Sequence, residues 1–189
     1  KYKNDGSICA TFFGDGAANQ GQVYETFNMA SLWDLPVLFI IENNLYGMGT
    51  SVKRSSATEN FARRGDAFGI KNKTVNGMDV LDVRNAAIEA VDFCRNKNKP
   101  FILEVKTYRY RGHSMSDPGK YRTRDEIDEM RKNGPIKMLQ NIIIETGYSE
   151  SDLKEIDNKI RSIVNEAADY AMNSDLPNES ELFKDILID

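Results

Sequence analysis

The chain has 189 residues, of which 40% are hydrophobic, and it carries a formal net charge of −4. This content suffices for one well-packed domain. The mildly acidic balance does not indicate the basic face that nucleic-acid binding requires, and no apolar run approaches the roughly 20 residues needed to span a membrane. Cys9 and Cys94 lack metal-ligand spacing, which predicts two buried thiols in a reducing compartment.

Residues 7–13 (S-I-C-A-T-F-F) form a nearly continuous apolar run. Such a run predicts a β-strand that is buried on both faces. Because this strand begins almost at once, we expect the chain to be an internal piece of a longer protein.

A helix and a second strand follow. The helix is predicted over residues 19–33 and places Val23, Phe27 and Ala30 on one apolar stripe. Residues 37–41 (V-L-F-I-I) predict another buried strand. A strand–helix–strand unit of about thirty residues predicts two parallel strands whose carboxyl ends share one edge of the sheet.

Polar residues follow both of these strands. Asp15 lies between Gly14 and Gly16 after the first strand, and Asn43 and Asn44 end the second. Ligands of open parallel sheets bind at the carboxyl ends of the strands. A lone G-D-G is most often an ordinary turn. The asparagine pair at the end of the second strand is therefore needed before a binding site is indicated.

The chemistry of this edge favours a magnesium–diphosphate site. Asp15 offers an anionic oxygen, Asn44 an amide oxygen, and the backbone near Tyr46 a further carbonyl. Magnesium takes few protein oxygens and completes its octahedron with water and phosphate oxygens. The glycines let a phosphate approach the backbone, and the following helix presents its N-terminus to it.

The next elements continue the alternation. Residues 43–58 predict a long functional loop rich in Gly and Ser, followed by a short helical segment over 59–64. Residues 73–75 and 101–107 predict strands on either side of a helix over 80–96, which Asp79 caps. The buried stripe of this helix is predicted to comprise Val80, Val83, Ala87, Val91 and Cys94. The alternation predicts an α/β fold with a mainly parallel sheet between two helical layers.

A second functional stretch covers residues 108–122. It contains Arg109 and the only histidine, His113, in a Gly-flanked loop after a strand end. A lone histidine is more often a packed or surface residue. Here the neighbouring cation can neutralise a diphosphate, and an imidazole can exchange protons near pH 7.

The remainder of the chain is predicted to be helical. Thr123 and Glu126 fit a capping box for a helix that ends near residue 132. A second helix is predicted from residues 134–135 to 145, and Ser149 and Asp152 cap a third. The apolar stripe of the third helix predicts a core or subunit interface and comprises Leu153, Ile156, Ile160, Ile163, Ala167 and Tyr170. A terminal apolar patch is formed by Leu182, Phe183, Ile186 and Leu187. We expect a cofactor-binding core over 1–122 and a helical extension over 123–189.

Three motifs in order carry a family resemblance: G-D-G-A-A-N-Q-G-Q, E-N-N-L-Y-G-M-G-T-S and T-Y-R-Y-R-G-H-S-M-S-D-P. They resemble the pyruvate dehydrogenase alpha subunits, which belong to the thiamin diphosphate-dependent first components of the 2-oxoacid dehydrogenase complexes. The resemblance extends over residues 6–171. It implies a three-layer thiamin diphosphate-binding fold and oxidative decarboxylation of pyruvate with reductive acetylation of a lipoyl group.

The resemblance also implies roles for individual residues. Magnesium would be held by Asp15, Asn44 and the Tyr46 carbonyl, and His113 would be catalytic. The implied cofactor-binding residues are Gly14, Asp15, Gly16, Ala17, Asn44, Tyr46, Arg109 and His113.

Partners follow from the same resemblance. Related alpha subunits carry a further N-terminal half, and their beta subunit supplies the glutamate that activates the aminopyrimidine ring. We therefore expect an α2β2 heterotetramer that serves the lipoyl domain of an acetyltransferase, and an isolated chain that is inactive. No nucleic acid or membrane is expected as a partner. The location implied is a bacterial cytoplasm, with the mitochondrial matrix as the alternative.

Ser114 occupies the position that a kinase modifies in mitochondrial relatives. Phosphate there would add negative charge beside an anionic substrate. The segment D-P-G-K-Y-R-T-R departs from those relatives at Lys120, where they have an additional residue and a second serine. The departure weighs against phosphorylation and favours a bacterial source.

Other functions stay open. One alternative is the alpha subunit of another 2-oxoacid or acetoin dehydrogenase, although branched-chain enzymes differ in the H-S-M-S-D-P loop. Another is a non-catalytic assembly module. A nucleotide-binding sheet is a third option, but neither phosphate-loop motif, G-x-G-x-x-G or G-K-[ST], is present.

Overall fold

The computed structural model of the protein describes residues 5–184 and residue 186. Its strands are β1 (Cys9–Gly14), β2 (Val37–Asn43), β3 (Tyr46–Gly47), β4 (Thr50–Ser51), β5 (Lys71–Asn76) and β6 (Phe101–Lys106). Its α-helices are α1 (Gly21–Leu32), α2 (Val52–Ser55), α3 (Val80–Lys97), α4 (Arg124–Lys132), α5 (Pro135–Glu145) and α6 (Glu150–Asn173). Short 3-10 helices cover Ala17–Asn19, Ala62–Phe68 and Glu179–Phe183.

The main sheet has the strand order β1-β2-β6-β5, and every neighbouring pair is parallel. Gly14 at the end of β1 pairs with Glu42 of β2, while Asn43 pairs with Lys106 of β6. The carboxyl ends of these three strands therefore lie at one edge. The remaining strands, β3 and β4, form a small antiparallel hairpin just beyond that edge.

Alternate residues of the central strands face two separate apolar layers. On one face, Phe39 of β2 packs edge-on against Phe27 of α1, with 4.9 Å between the ring centroids. On the other face, Leu38 and Leu103 pack with the α3 residue Ala90. Burying each large apolar side chain contributes about 1.5–3 kcal/mol. The structure is thus the predicted three-layer α/β fold with a mainly parallel sheet.

The first strand differs from its expectation. β1 pairs only with β2 within the described residues, so it forms an edge of the sheet. Phe12 is 64% exposed, and Cys9 is exposed as well. The expectation of burial on both faces is wrong for β1, and that of two buried thiols is wrong for Cys9, because an apolar run cannot reveal how many neighbours a strand has.

Two local expectations also need correction. The predicted loop over residues 43–58 contains the β3–β4 hairpin and α2, and the short helix predicted at 59–64 is the 3-10 helix at Ala62–Phe68. The first helix begins at Gly21, after the 3-10 turn at Ala17–Asn19, and not at residue 19.

The stripe predicted for α3 is confirmed at Cys94, but the rest of it is displaced by part of a turn. Its fully buried residues are Ala86, Ala90 and Cys94, whereas Val80 is exposed. Small side chains at these positions let the helix approach the sheet closely. The neighbouring valines Val83 and Val91 are only partly buried.

The chain forms two compact units, residues 1–139 and 140–189, with the boundary inside α5. The first contains the main sheet, and the second contains α6. The division predicted at residues 122 and 123 separates the site from the later helices and stays a prediction. No helix in the described part of the chain is long and apolar enough to cross a membrane.

Helix caps follow the sequence closely. Ser149 and Asp152 form the predicted capping box of α6. At α4, Thr123 Oγ1 accepts the Glu126 N–H, as the predicted capping box requires. The Glu126 carboxylate, however, accepts a hydrogen bond from the Tyr108 hydroxyl at 2.8 Å, so only the Thr123 half of the box is present.

The apolar stripe of α6 lies on an open surface. Its isoleucines Ile156, Ile160 and Ile163 are each about half exposed, so the core alternative is wrong for them. The subunit-interface alternative stays a prediction. In the terminal apolar patch, Leu182, Phe183 and Ile186 are exposed, and Leu187 lies outside the described residues.

Candidate cofactor and metal site

The candidate site begins at the adjoining ends of β1 and β2. Asp15 follows β1 directly, and its Oδ1 accepts a hydrogen bond from the backbone N–H of Asn44 at 3.3 Å. The Asp15 side chain is deeply buried, with only 3% of the residue exposed. Burial raises the pKa of its carboxyl, while the Asn44 N–H and the positive charge of Arg109 oppose that increase. A buried carboxylate at a strand end is a suitable anchor for a cation.

The turn after β2 orders the next two candidate ligands. Asn44 Oδ1 accepts the backbone N–H of Tyr46 at 3.3 Å, which closes a turn around Leu45. Leu45 has a φ of +73°, in the left-handed region that non-glycine residues seldom adopt. An amide oxygen has two lone pairs, so Asn44 can accept this N–H and still bind an ion.

Two glycines bring the G-D-G turn against the hairpin. A Cβ on Gly47 would lie 3.2 Å from the Gly16 Cα and 3.9 Å from Asp15 Oδ2. A Cβ on Gly16 would meet the Gly47 Cα at 3.3 Å. The backbones therefore touch where any larger residue would push them apart.

An open cavity of about 370 Å³ lies at this edge. Its lining residues are Gly14, Asp15, Gly16, Ala17, Asn44, Tyr46, Gly47, Met48, Arg109 and His113. All eight residues that the family resemblance implies as cofactor-binding are among them. The structure thus brings the two motif regions together, while the chemical roles of the residues stay predictions.

Arg109 forms the cationic side of the cavity, and His113 lies beside it. Arg109 Nη1 lies 3.4 Å from His113 Nδ1. A guanidinium can only donate, so a hydrogen bond between these two atoms requires Nδ1 to be the acceptor.

Asp117 fixes the backbone of the loop that carries His113. Its carboxylate accepts the His113 N–H at 2.6 Å, the Gly119 N–H at 2.8 Å and the Tyr121 hydroxyl at 2.8 Å. These donors lower the pKa of the Asp117 carboxyl, the His113 N–H most strongly. Ser114, the candidate phosphorylation site, is exposed beside Ser116, with 3.0 Å between the hydroxyl oxygens.

Arg122 has a structural role that the sequence did not assign. Its guanidinium donates to the Arg109 carbonyl and, at 2.9 Å, to the Arg111 carbonyl. It also lies 5.7 Å from the ring centroid of Tyr46 and 5.1 Å from that of Tyr121. Arg122 therefore joins the arginine-rich loop to the β3–β4 hairpin.

Glu104 was also missed as a residue of interest. It lies in the middle of β6, fully buried, and its carboxylate reaches Asn43 at the end of β2. The available signal was one charged residue inside the apolar run F-I-L-E-V. A charge in a buried strand needs several hydrogen-bond partners, which a sequence does not identify.

A magnesium ion would have to use few charged ligands here. Within the described residues, no group of three or more His, Cys, Asp or Glu side chains is arranged to hold a metal. Asp15 with amide, carbonyl, water and phosphate oxygens is the type of ligand set that magnesium accepts. The donor set and the glycine-lined approach fit a magnesium-bound diphosphate.

Comparison with known proteins places these features in a family. The family model described as dehydrogenase E1 component matches residues 1–180. The chain is 52% identical over 189 residues to the pyruvate dehydrogenase E1 component subunit alpha of Rickettsia bellii, covering 100% of this chain and 58% of that protein. It is 52% identical over 190 residues to the protein of the same name from Rhizobium meliloti, covering 100% of this chain and 55% of that protein.

A human relative, the testis-specific mitochondrial form of the pyruvate dehydrogenase E1 component subunit alpha, is 50% identical over 186 residues. That match covers 96% of this chain and 47% of the human protein. The chain spans about half the length of the curated relatives it matches. The chain belongs to the dehydrogenase E1 component family.

Proposed function

We propose that this chain forms the cofactor-binding part of a pyruvate dehydrogenase alpha subunit. The complete enzyme would decarboxylate pyruvate oxidatively and transfer the acetyl group to a lipoyl disulfide. The observation that carries the proposal is that one cavity beside the ends of β1 and β2 is lined by all eight motif residues. The names of its relatives support pyruvate as the substrate.

Asp15 is the residue on which cofactor binding depends most. Its carboxylate is buried at the cavity wall, where burial raises its pKa and disfavours its charge. A bound cation would offset that penalty. Asn44 Oδ1 and the Tyr46 carbonyl would complete the protein ligands of magnesium, and the Gly16 and Ala17 backbone would face the diphosphate.

Thiamin diphosphate supplies, when bound, the electron-accepting centre that decarboxylation of a 2-oxoacid requires. The chain's own residues would bind and orient it. Arg109 directs a permanent positive charge towards the same cavity, which favours phosphate oxygens. His113 would exchange a proton at the edge of the cavity.

The complete enzyme would need further protein partners. A beta subunit in an α2β2 heterotetramer would complete the active site, and the lipoyl domain of an acetyltransferase would receive the acetyl group. The isolated chain would then be inactive. Its bacterial relatives support a bacterial cytoplasm as its location.

The test is a binding and turnover experiment on the complete alpha–beta complex. Thiamin diphosphate is titrated calorimetrically with and without magnesium, and turnover is measured on pyruvate, branched-chain 2-oxoacids and acetoin. Binding that requires magnesium, with turnover fastest on pyruvate, supports the proposal. Preference for another substrate reassigns the enzyme within its family. Assembly without cofactor binding, or equal turnover after both ligands are removed, overturns it in favour of a non-catalytic role.

A further inference from the structure

Glu104 has a buried carboxyl group that contacts several elements of the fold. Its Oε2 accepts the backbone N–H groups of Phe61 at 3.0 Å and Ala62 at 3.1 Å, as well as the Thr74 hydroxyl at 3.1 Å. Its Oε1 accepts the Asn43 amide Nδ2 at 2.8 Å. All four neighbours donate to the two oxygens of Glu104, so both oxygens have hydrogen-bond partners.

Asn43 transmits this anchor to the turn that carries the candidate metal ligands. Its Nδ2 donates to Glu104, and its Oδ1 accepts the Leu45 N–H at 3.1 Å. Asn43 is 1% exposed, so both ends of its amide are engaged inside the protein. Both polar atoms of the Asn43 side chain are therefore used in hydrogen bonds within the protein. Of the two asparagines, Asn44 is the one that lines the cavity.

The turn needs such support because its backbone is unfavourable. Leu45 adopts a φ of +73°, which costs a non-glycine residue of order 1–3 kcal/mol. The Asn43 side chain holds the Leu45 N–H in this conformation, and Asn44 Oδ1 holds the next one, that of Tyr46. The position of the Asn44 and Tyr46 oxygens thus depends on an anchor in β6.

We propose that Glu104, acting through Asn43, is a positioning residue for the metal-binding turn. It touches neither cofactor nor metal, and it sets the path of residues 44–46 so that their oxygens meet the Asp15 carboxylate. The inference rests on the proposed function for the identity of the bound ion. It goes beyond that function because it makes metal affinity depend on a buried side chain outside the cavity.

A transposed pair of substitutions tests the hydrogen bond itself. Glu104→Gln places an amide NH2 opposite the NH2 of Asn43, so two donors face each other in a buried site. Asn43→Asp alone places a second carboxylate against Glu104. The double variant Glu104→Gln/Asn43→Asp restores one donor and one acceptor, with Asp accepting both the Gln amide and the Leu45 N–H.

The matched control is Thr74→Val. This variant removes one donor from the same Glu104 carboxyl group. Thr74 lies on β5, and its hydroxyl donates to Glu104 and not to the turn at residues 44–46. A general effect of disturbing Glu104 would appear in this variant as well. An effect on the turn would not.

The measurement is the affinity for magnesium in the complete alpha–beta complex saturated with thiamin diphosphate, followed by calorimetry, with thermal unfolding recorded for each variant without metal. We expect each single variant of the pair to weaken magnesium binding about 10–100-fold. We expect the double variant to recover at least tenfold over either single one, and Thr74→Val to bind like the unmodified complex. Loss of affinity that Thr74→Val shares, or that the double variant does not recover, would overturn the proposal.

Asn43→Ser keeps the inference testable if Glu104→Gln does not assemble. Serine can still accept the Leu45 N–H but cannot reach Glu104, whose other three donors are untouched. Weakened magnesium binding in Asn43→Ser, compared with Thr74→Val, supports the inference, and equal binding refutes it. Failure of the unmodified complex to bind thiamin diphosphate and magnesium would instead refute the proposed function.

Discussion

The carboxylate of Asp15 accepts a hydrogen bond from the backbone N–H of Asn44, although the two residues are 29 positions apart in the sequence. This contact joins the end of β1 to the turn after β2. The candidate anionic ligand and the candidate amide ligand therefore share one local structure. A change at either residue should alter the geometry of both.

Asp15→Asn should separate metal binding from stability. The amide keeps the shape of the side chain but removes the charge, so magnesium affinity should fall at least about tenfold. Thermal stability without metal should stay equal or rise, because burial disfavours the Asp15 charge. Calorimetry and thermal unfolding of the complete complex measure both. Asp92→Asn, an exposed carboxylate on α3, is the control and should change neither. Unaltered magnesium affinity in Asp15→Asn would contradict the assignment.

The raised pKa of Asp15 predicts a specific pH dependence. In the metal-free protein the folded state binds this proton more tightly than the unfolded state does, so its contribution to stability falls as pH rises. The loss should begin near the ordinary Asp pKa and be complete above the raised folded pKa. Thermal unfolding of the unmodified complex and of Asp15→Asn across mildly acidic pH should show their difference growing with pH. A difference that shrinks as pH rises would contradict the sign.

Gly47→Ala should damage the site through backbone separation. The new Cβ would lie 3.2 Å from the Gly16 Cα, closer than ordinary contacts allow. We expect a loss of about 1–3 kcal/mol in the free energy of unfolding and weaker thiamin diphosphate binding. Gly21→Ala is the matched control, since a Cβ there meets nothing within 4 Å. Equal cofactor affinity in the two variants would show that the contact between the turn and the hairpin is dispensable.

Arg122→Lys should loosen the loop that carries Arg109 and His113. A lysine cannot reproduce two hydrogen bonds to the Arg109 and Arg111 carbonyls while packing near the tyrosine rings. We expect a loss of about 1–3 kcal/mol in stability and faster proteolysis between residues 109 and 121. Arg124→Lys, at the exposed start of α4, should leave both unchanged. Unchanged cleavage of the loop in Arg122→Lys would indicate that other contacts hold it.

The positions that the sequence predicts correctly follow from local patterns. Gly14, Asp15 and Asn44 could be assigned to strand ends because apolar runs define the strands and parallel strands align their carboxyl ends. The residues that were missed act across the fold. Glu104 binds Asn43, 61 positions away, and Phe61, 43 positions away. No pattern of spacing identifies such partners.

The same limit explains the errors in burial. The apolar run of β1 indicated a strand correctly, but its place at the sheet edge depends on neighbours that periodicity does not reveal. In α3 the apolar stripe was drawn through the valines, whereas close approach to the sheet selects Ala86 and Ala90. Side-chain size at the contact with the sheet, and not hydrophobicity alone, therefore determines which residues of α3 are buried.

The central claim is that one ion binds between the ends of β1 and β2, and diffraction from crystals of the complete complex grown with thiamin diphosphate and manganese tests it most directly. Manganese in place of magnesium can be located by its anomalous signal. We predict a single peak in each alpha subunit, bound directly by a carboxylate oxygen of Asp15, Asn44 Oδ1 and the Tyr46 carbonyl, with water and phosphate oxygens as the remaining ligands. A peak that is not bound by Asp15 and Asn44, with cofactor present, would contradict the account.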